Sequence, residues 1–283
     1  MPRYLIAESE LPEEREKRRA RAGKSSGETY LATLQQMRPD AQCRLIAPAD
    51  EDAPLLSPEQ IAGFDAVLLT GSPMHVYADA PPVRRQLAFM RAVFASGTPS
   101  FGSCAGLQVA TAAAGGRVRR MTGRMEAGLV RGITATQAGR SHPLLAGRPG
   151  CWDAIGIHAD EVEELPAGAT LLAGNASTRI QAAEIRHDRG VFWGVQYHPE
   201  LALAEVASAL RSQAADLIEA GLAESEGDIA TVAQALDGLH HDPGRRALRW
   251  KLGISAEVAE ERRRRTEITN FLDHAPRLKA APG

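Results

Sequence analysis

One stretch constrains this chain more than any other: Pro99-Ser100-Phe101-Gly102-Ser103-Cys104-Ala105-Gly106-Leu107-Gln108. It reads as a short buried strand, a sharp turn carrying one cysteine, and the start of a small-residue helix that includes Ala110 to Ala114. The Gly-x-Cys-x-Gly spacing is that of a nucleophile elbow with Cys in the place of Ser. The turn is so tight that the residues two before and two after the nucleophile have to be small, which Gly102 and Gly106 satisfy. Such a turn holds the thiol above the carboxyl end of a sheet. The dipole of the helix that follows favours thiolate over thiol. A lone Gly-x-Cys-x-Gly is more often a buried cysteine in a glycine-rich turn. What decides is whether the rest of the chain supplies a sheet and partners for the thiol.

The chain supplies the sheet. Tyr4 to Ala7, Cys43 to Ala47 and Phe64 to Thr70 read as strands, the last with the continuous apolar core that suits a parallel strand covered on both faces. Helices are expected between them: around Thr29 to Met37, from Ser57-Pro58-Glu59-Gln60 with Ser as N-cap and Gln closing a capping box, and over Pro82 to Phe94. Alternating strands and helices predict right-handed crossovers and a doubly wound, mostly parallel α/β sheet, with sites beyond the carboxyl ends of its strands. Glu8 to Gly27, rich in both charges, reads as a loop. Within it Gly23-Lys24-Ser25 lacks the earlier glycine of a phosphate-binding loop, since Arg18 stands there, and nucleotide binding is rejected.

Further on, Gly116 to Thr136 is β-like with glycine breaks and Arg140 to Gly150 is a loop. Trp152 to His158, Thr170 to Ala173, Ile180 to Ile185 and Val191 to Tyr197 read as strands. After Pro199 the chain turns helical. Leu203, Val206, Leu210 and Leu217 share one face, as do Ile229, Val232, Leu236 and Leu239. Ser255 to Asp273 is also helical, but Glu260 to Glu267 is charged on every side and reads as a solvated face. The division expected is an α/β domain over residues 1–221 and a helical extension over 222–283.

Composition excludes several classes. With 283 residues and a net charge of -2, the chain has no electrostatic pull toward nucleic acid or anionic membrane. No stretch has the ~20 apolar residues of a membrane span. The start, Met1-Pro2-Arg3-Tyr4, leaves no room for a signal peptide. Three widely spaced cysteines argue against a disulfide framework and for a reducing, cytoplasmic compartment. Cys43 and Cys151 are expected in the core, and His142 in a loop. No histidine spacing suggests a metal, and no cofactor is expected.

Two more strand ends supply partners for the thiol. In Gly194-Val195-Gln196-Tyr197-His198-Pro199-Glu200 an apolar strand ends in His, with Glu two residues on. In a triad the His takes the thiol proton and the acid fixes its tautomer and orientation. In Leu69-Thr70-Gly71-Ser72-Pro73 a small-residue turn exposes backbone N–H groups that suit an oxyanion hole, together with the N–H of Ala105.

These stretches together resemble the class I glutamine amidotransferases, the glutaminase domains typified by that of GMP synthetase. The resemblance runs from about Tyr4 to Leu201, and His158-Ala159-Asp160-Glu161-Val162 resembles a family segment lining the glutamine pocket. It implies a parallel, flavodoxin-like α/β fold with an added β segment. It also implies Cys104 as nucleophile, His198 as base, Glu200 as its orienter, and Gly71, Ser72 and Ala105 around the oxyanion. Gln108 and the backbone near His158 would contact substrate. Ser72 stands where the family usually has a second Gly; Glu126 also echoes the family, with a functional and a structural role both open. The activity implied is hydrolysis of the γ-carboxamide of L-glutamine through a γ-glutamyl thioester. No synthetase motif accompanies it. A separate synthetase subunit receiving ammonia, a stand-alone γ-glutamyl hydrolase, a non-enzymatic scaffold and a homo-oligomer all stay open.

Overall fold

The computed structural model of the protein describes residues 1–122 and 125–280. Residues 123 and 124 of the expected β-like stretch, and the last three of the expected extension, lie outside the described residues. The strands are β1 (Arg3–Ala7), β2 (Gln42–Ile46), β3 (Ala66–Leu69), β4 (Ser100–Ser103), β5 (Arg117–Arg120), β6 (Glu126–Ala135), β7 (Cys151–His158), β8 (Asp160–Glu164), β9 (Ala169–Gly174), β10 (Ala182–His187) and β11 (Gly190–Val195). One sheet runs in the order β2-β1-β3-β4-β11-β10-β9-β6-β7, and β5 and β8 form a separate ribbon. From β2 to β11 every pairing is parallel, and from β11 to β7 every pairing is antiparallel. The helices are α1 (Pro12–Ala22), α2 (Ser26–Met37), α3 (Pro58–Ala62), α4 (Pro81–Ser96), α5 (Ala105–Ala113), α6 (Gln137–Ser141), α7 (Leu203–Ser212), α8 (Ala214–Glu219), α9 (Glu226–His241), α10 (Arg246–Leu252), α11 (Ala256–Ala259), α12 (Glu261–Arg264) and α13 (Thr266–Ala280).

The alternation of side chains along each strand divides the core in two. Tyr4, Ile6, Leu68, Phe101 and Trp193 point to one face, where α2 and α13 cover them with Tyr30, Leu34, Ile268 and Phe271. Leu5, Ala7, Val67, Leu69 and Phe192 point to the other, under Ile61 of α3, Phe89 and Val93 of α4, and Leu107 of α5. Each large side chain buried this way contributes roughly 1.5–3 kcal/mol. A third cluster joins Ile155 of β7 to Leu203, Val206 and Leu210 of α7, Leu236 of α9 and Val258 of α11. Residues beyond Gly221 therefore fill two of the clusters, and removing them would uncover Phe101 and Trp193.

Four expectations need correction. The charged segment after β1 is not a loop throughout: Pro12 to Ala22 is helical. Pro12 stands at its first turn, the Glu14 carboxylate accepts from Leu11 N at 2.8 Å, and Gly23 ends it in the left-handed region at φ 77°. No residue of α1 is buried, so it has no apolar stripe to read. Ion pairs from Arg15 to Asp50 (2.6 Å) and Arg18 to Glu205 (3.2 Å) hold it instead. Next, β8 is a strand although its sequence is Asp-Glu-Val-Glu-Glu. Acidic residues are poor strand formers, but β5 opposite is Arg-Val-Arg-Arg, and Arg119–Glu161 (3.0 Å) and Arg117–Glu164 (2.7 Å) pair the two. Third, the charged run near residue 264 is not fully solvated: Arg264 and Glu267 are buried, because each finds partners inside. Finally, Cys151 is exposed and Cys43 half-buried, so only the elbow cysteine is buried. The stretch read as the 140–150 loop also holds the end of α6 and a short turn of 3-10 helix over Pro143–Leu145.

Candidate active site

The elbow is built as its spacing demands. Cys104 lies between β4 and α5 with φ 52° and ψ -111°, a strained backbone for any residue other than glycine. A Cβ on Gly102 would come within 3.0 Å of the Gly106 backbone, and one on Gly106 within 2.8 Å of the Leu69 carbonyl. Both positions need glycine so that strand, turn and helix can pack this closely. Cys104 N donates to the Val195 carbonyl of β11 at 2.8 Å, which ties the elbow to the strand that leads to His198. Ala105 opens α5, so its N–H belongs to the first turn and has no acceptor within the helix.

His198 reaches the elbow from the end of β11. A Cβ on Gly71 would lie 2.7 Å from the His198 ring and 3.5 Å from Cys104 Cβ, so the three stretches singled out by sequence meet at one point. Nδ1 of His198 is 2.7 Å from Glu200 Oε1. Both residues are buried. Burial alone would lower the His198 pKa, but the Glu200 carboxylate and Cys104 raise it from 6.5 to about 10. The imidazole is therefore held as a cation at neutral pH, with Nδ1–H donating to Glu200.

The remaining expected residues surround this centre in different ways. Ser72 lines the cleft and turns its hydroxyl back to accept from Met74 N at 3.2 Å. Gln108 lines the cleft, yet its Nε2 donates to the Asp160 carbonyl (3.1 Å) and Gln196 Oε1 (3.3 Å). His158 is buried with both ring nitrogens facing acceptors, Asp160 O at 2.9 Å and Glu126 Oε2 at 3.1 Å. Glu126 also accepts from Asn175 (2.7 Å), Thr178 (2.9 Å) and Gln181 (2.6 Å), a structural hub behind the His158 wall. Across the cleft mouth His75 Nδ1 lies 2.7 Å from Asp160 Oδ2, joining the turn after β3 to β8.

The cleft over Cys104 has a volume of about 440 Å³. One wall is Gly71 to His75 with Gln108 and His158 to Asp160, and the other comes from α1, α7 and α8. Arg18 of α1 bridges that second wall, reaching Glu205 of α7 at 3.2 Å and Glu10 at 3.8 Å. The insertion Glu8 to Ser26 and the stretch Met74 to Tyr77 are the walls expected from sequence, and residues from Glu10 to Ser26 together with Met74 and His75 do line the cleft. Sequence reasoning missed that part of the insertion is helical, the share of α7 and α8, and two hydroxyls behind the triad, those of Ser103 and Tyr30. Ser103 had a signal, a polar residue at the end of a buried strand beside the nucleophile. Tyr30 had none. Among the described residues no group of three or more His, Cys, Asp or Glu is placed to hold a metal, and no helix is long and apolar enough to cross a membrane.

An α/β sheet with a strained cysteine elbow beside a strand-end His-x-Glu is the arrangement that the resemblance to class I glutamine amidotransferases implies. The family model for class-I glutamine amidotransferases matches residues 31–214, and the chain belongs to that family. A γ-glutamyl-L-1-hydroxyisopropylamide hydrolase from a Pseudomonas species is 34% identical over 96% of this chain and 92% of its own length. A glutamine-hydrolysing GMP synthase from Xanthomonas axonopodis is 34% identical over 51% of this chain, but only 27% of that enzyme is matched. Among solved structures, a glutamine amidotransferase from Thermotoga maritima superposes with a TM-score of 0.65 over 99% of this chain and 100% of its own. At 14% identity that likeness shows the fold alone.

Proposed function

We propose that the protein hydrolyses γ-glutamyl amides through a covalent thioester, with Cys104 as nucleophile, His198 as proton carrier and Glu200 as its orienter. The observation that carries this reading is the meeting of Gly71, Cys104 and the Glu200-bound His198 ring at the floor of one cleft. The sulfur attacks the γ-carbonyl, and the oxygen that gains charge lies toward the N–H groups of Ser72 and Ala105. His198 gives its proton to the departing nitrogen as the C–N bond breaks, leaving a γ-glutamyl thioester and a free amine. Water then gives a proton to His198 and adds to the thioester carbonyl. The C–S bond breaks, the sulfur is restored, and glutamate leaves.

The amine must depart on the His198 side, because His198 protonates it. Glu200, Leu201 and Glu205 and Arg18 of α1 line the same cleft as His198. The whole cleft, about 440 Å³, is in the range that holds a small organic ligand, so γ-glutamyl group and amine would share it. The likeness to the Pseudomonas hydrolase extends over nearly the whole of both chains, helical extension included, which also favours an amide with an organic amine. The half-chain match to GMP synthases favours the second reading, glutamine hydrolysis with ammonia passed to a separate synthetase. The test compares kcat/KM of the isolated protein for glutamine and for a panel of γ-glutamyl alkylamides and dipeptides. A hundredfold preference for one of the larger amides, about 2.7 kcal/mol of transition-state discrimination, supports the first reading. Weak activity on all of them that rises for glutamine when a synthetase is added supports the second.

A further inference from the structure

Glu200 does more than meet His198. The Ser103 hydroxyl donates to the same oxygen, Glu200 Oε1, at 3.0 Å. Tyr30 Oη lies 2.7 Å from Ser103 Oγ, and all four side chains are buried. A hydroxyl has one proton. Since Ser103 gives its proton to the carboxylate, Tyr30 must be the donor in the contact between them. The chain of donors therefore has one direction, Tyr30 to Ser103 to Glu200, and it meets the His198 Nδ1–H at a single oxygen. Burial, reinforced by the Glu200 charge, pushes the Tyr30 phenol well above its usual range, so it stays a neutral donor. Glu200 Oε2 has no partner among the described residues, which leaves Oε1 as the oxygen through which the protein controls this carboxylate.

We propose that Ser103 and Tyr30 are positioning residues that extend the triad into a five-membered relay and set how strongly Glu200 holds the imidazolium of His198. This rests on the catalytic reading above. The Ser103 O–H draws part of the carboxylate charge toward itself. Without it that charge acts more fully on His198, and the imidazolium keeps its proton to higher pH. Other charged or titratable groups line the cleft: Glu10 before α1, Glu14, Lys17, Arg18 and Arg21 on α1, His75 after β3, His158 and Asp160 on β7 and β8, Glu205 on α7 and Asp216 on α8. Arg18 is paired with Glu10 and Glu205, and none of the variants below replaces any of these groups.

The experiment reads His198 without substrate. Iodoacetate is an anion and iodoacetamide is neutral, so the ratio of their alkylation rates at Cys104 falls as the neighbouring imidazolium loses its proton. It is followed by peptide mass spectrometry in a Cys151→Ser background, because Cys151 is exposed. In the parent protein the fall is expected near pH 10, where His198 titrates. Ser103→Ala is expected to move the midpoint up by about one unit, the scale of one hydrogen bond to a charged group. Tyr30→Phe, which loses one oxygen and keeps the ring packed, should move it the same way by less. Ser103→Thr, which keeps the hydroxyl, should restore the parent midpoint. Coincident midpoints for the parent, Ser103→Ala and Tyr30→Phe would overturn the relay even if turnover falls, since lost packing lowers rates without moving a titration. A ratio flat with pH in the parent would overturn the catalytic reading, and the relay with it.

Discussion

Tyr197 and His198 are adjacent in sequence and belong to two buried polar networks with opposite characters. Tyr197 donates to Glu267 Oε1 of α13 at 2.8 Å. Arg148 grips the same Glu267 with two contacts of 2.7 Å and reaches Glu257 with a third of 2.7 Å. Here every charge faces a fitted partner, and although burial alone would lower the Arg148 pKa, the Glu267 charge keeps it raised. His198 faces the cleft, where Glu200 leaves one oxygen without a partner among the described residues. The first network is closed and locks α13 against the strand end. The second keeps hydrogen-bonding capacity in hand at a buried oxygen. In buried polar clusters, stability comes from satisfying every group, and chemistry needs a group whose satisfaction changes during the reaction.

Substitutions should separate the two networks. Cys104→Ala should leave no measurable turnover, and a glutamine-like diazo or chloroketone reagent should label Cys104 alone in the parent; persistent labelling in the variant would point to another nucleophile. His198→Ala should cost about a millionfold in kcat, as in comparable triads, and Glu200→Gln about ten thousandfold, because it keeps the shape and loses only the orienting charge. Because the pair itself contributes stability at lower pH, the variants are compared in thermal melts above about pH 10, where that contribution is gone, and there they should unfold within a few degrees of the parent. Equal mild losses would mean a different base, with His158 the first to examine. The reverse pattern is expected across the strand. Glu267→Gln leaves Arg148 buried with one partner fewer and should cost about 3–5 kcal/mol in urea unfolding, with kcat within tenfold of the parent. A collapse of kcat at unchanged stability would merge the networks that this comparison holds apart.

The pH response also distinguishes them. The folded pKa of His198 is raised, so its pair with Glu200 stabilises the protein fully below about 6.5 and ceases to do so above about 10. The catalytic proton itself is lost at the upper end of that window, near 10. The kcat/KM profile should therefore have an alkaline limb near 10, read from initial rates on any accepted γ-glutamyl amide. Glu200→Gln should move that limb down, because the charge that raises the imidazolium pKa is gone. An unmoved limb would assign the titration to another group.

The site was more legible in the sequence than its supports were. The elbow, the strand-end His-Pro-Glu and the Gly-Ser-Pro turn are local, since each packs its geometric demand into a few consecutive residues. The supports are pairings across distance. Tyr30 meets Ser103 over 73 positions and Arg148 meets Glu267 over 119, and no spacing rule announces either. α1 hid for another reason. A helix docked by ion pairs has no apolar period, and its cues were a proline, one capping glutamate and a terminal glycine. β8 hid because its charges are matched only by the arginines of β5. The same charges that made these segments read as solvated are what holds them in place.

The smallest effect concerns the wall that departs furthest from those local cues. Arg18 joins α1 to α7 in the wall of the cleft that His198 also lines, with its side chain 14% exposed and Glu205 16% exposed. Screening by solvent limits such a pair to about 1 kcal/mol, and Thr29 would still hold Glu205 through its 2.7 Å hydrogen bond. Arg18→Ala should therefore lower stability by no more than about that amount. Its effect on catalysis should depend on the leaving amine. Glutamine releases ammonia, which has no bulk to touch the wall, and its kcat/KM should stay within twofold. A γ-glutamyl amide with a branched or hydroxylated amine reaches the wall, and its kcat/KM should change several-fold, through KM more than kcat, since the wall touches the amine in ground state and transition state alike. Equal changes for both substrates would place the amine elsewhere, and the wall would then belong with the closed, structural side of the comparison.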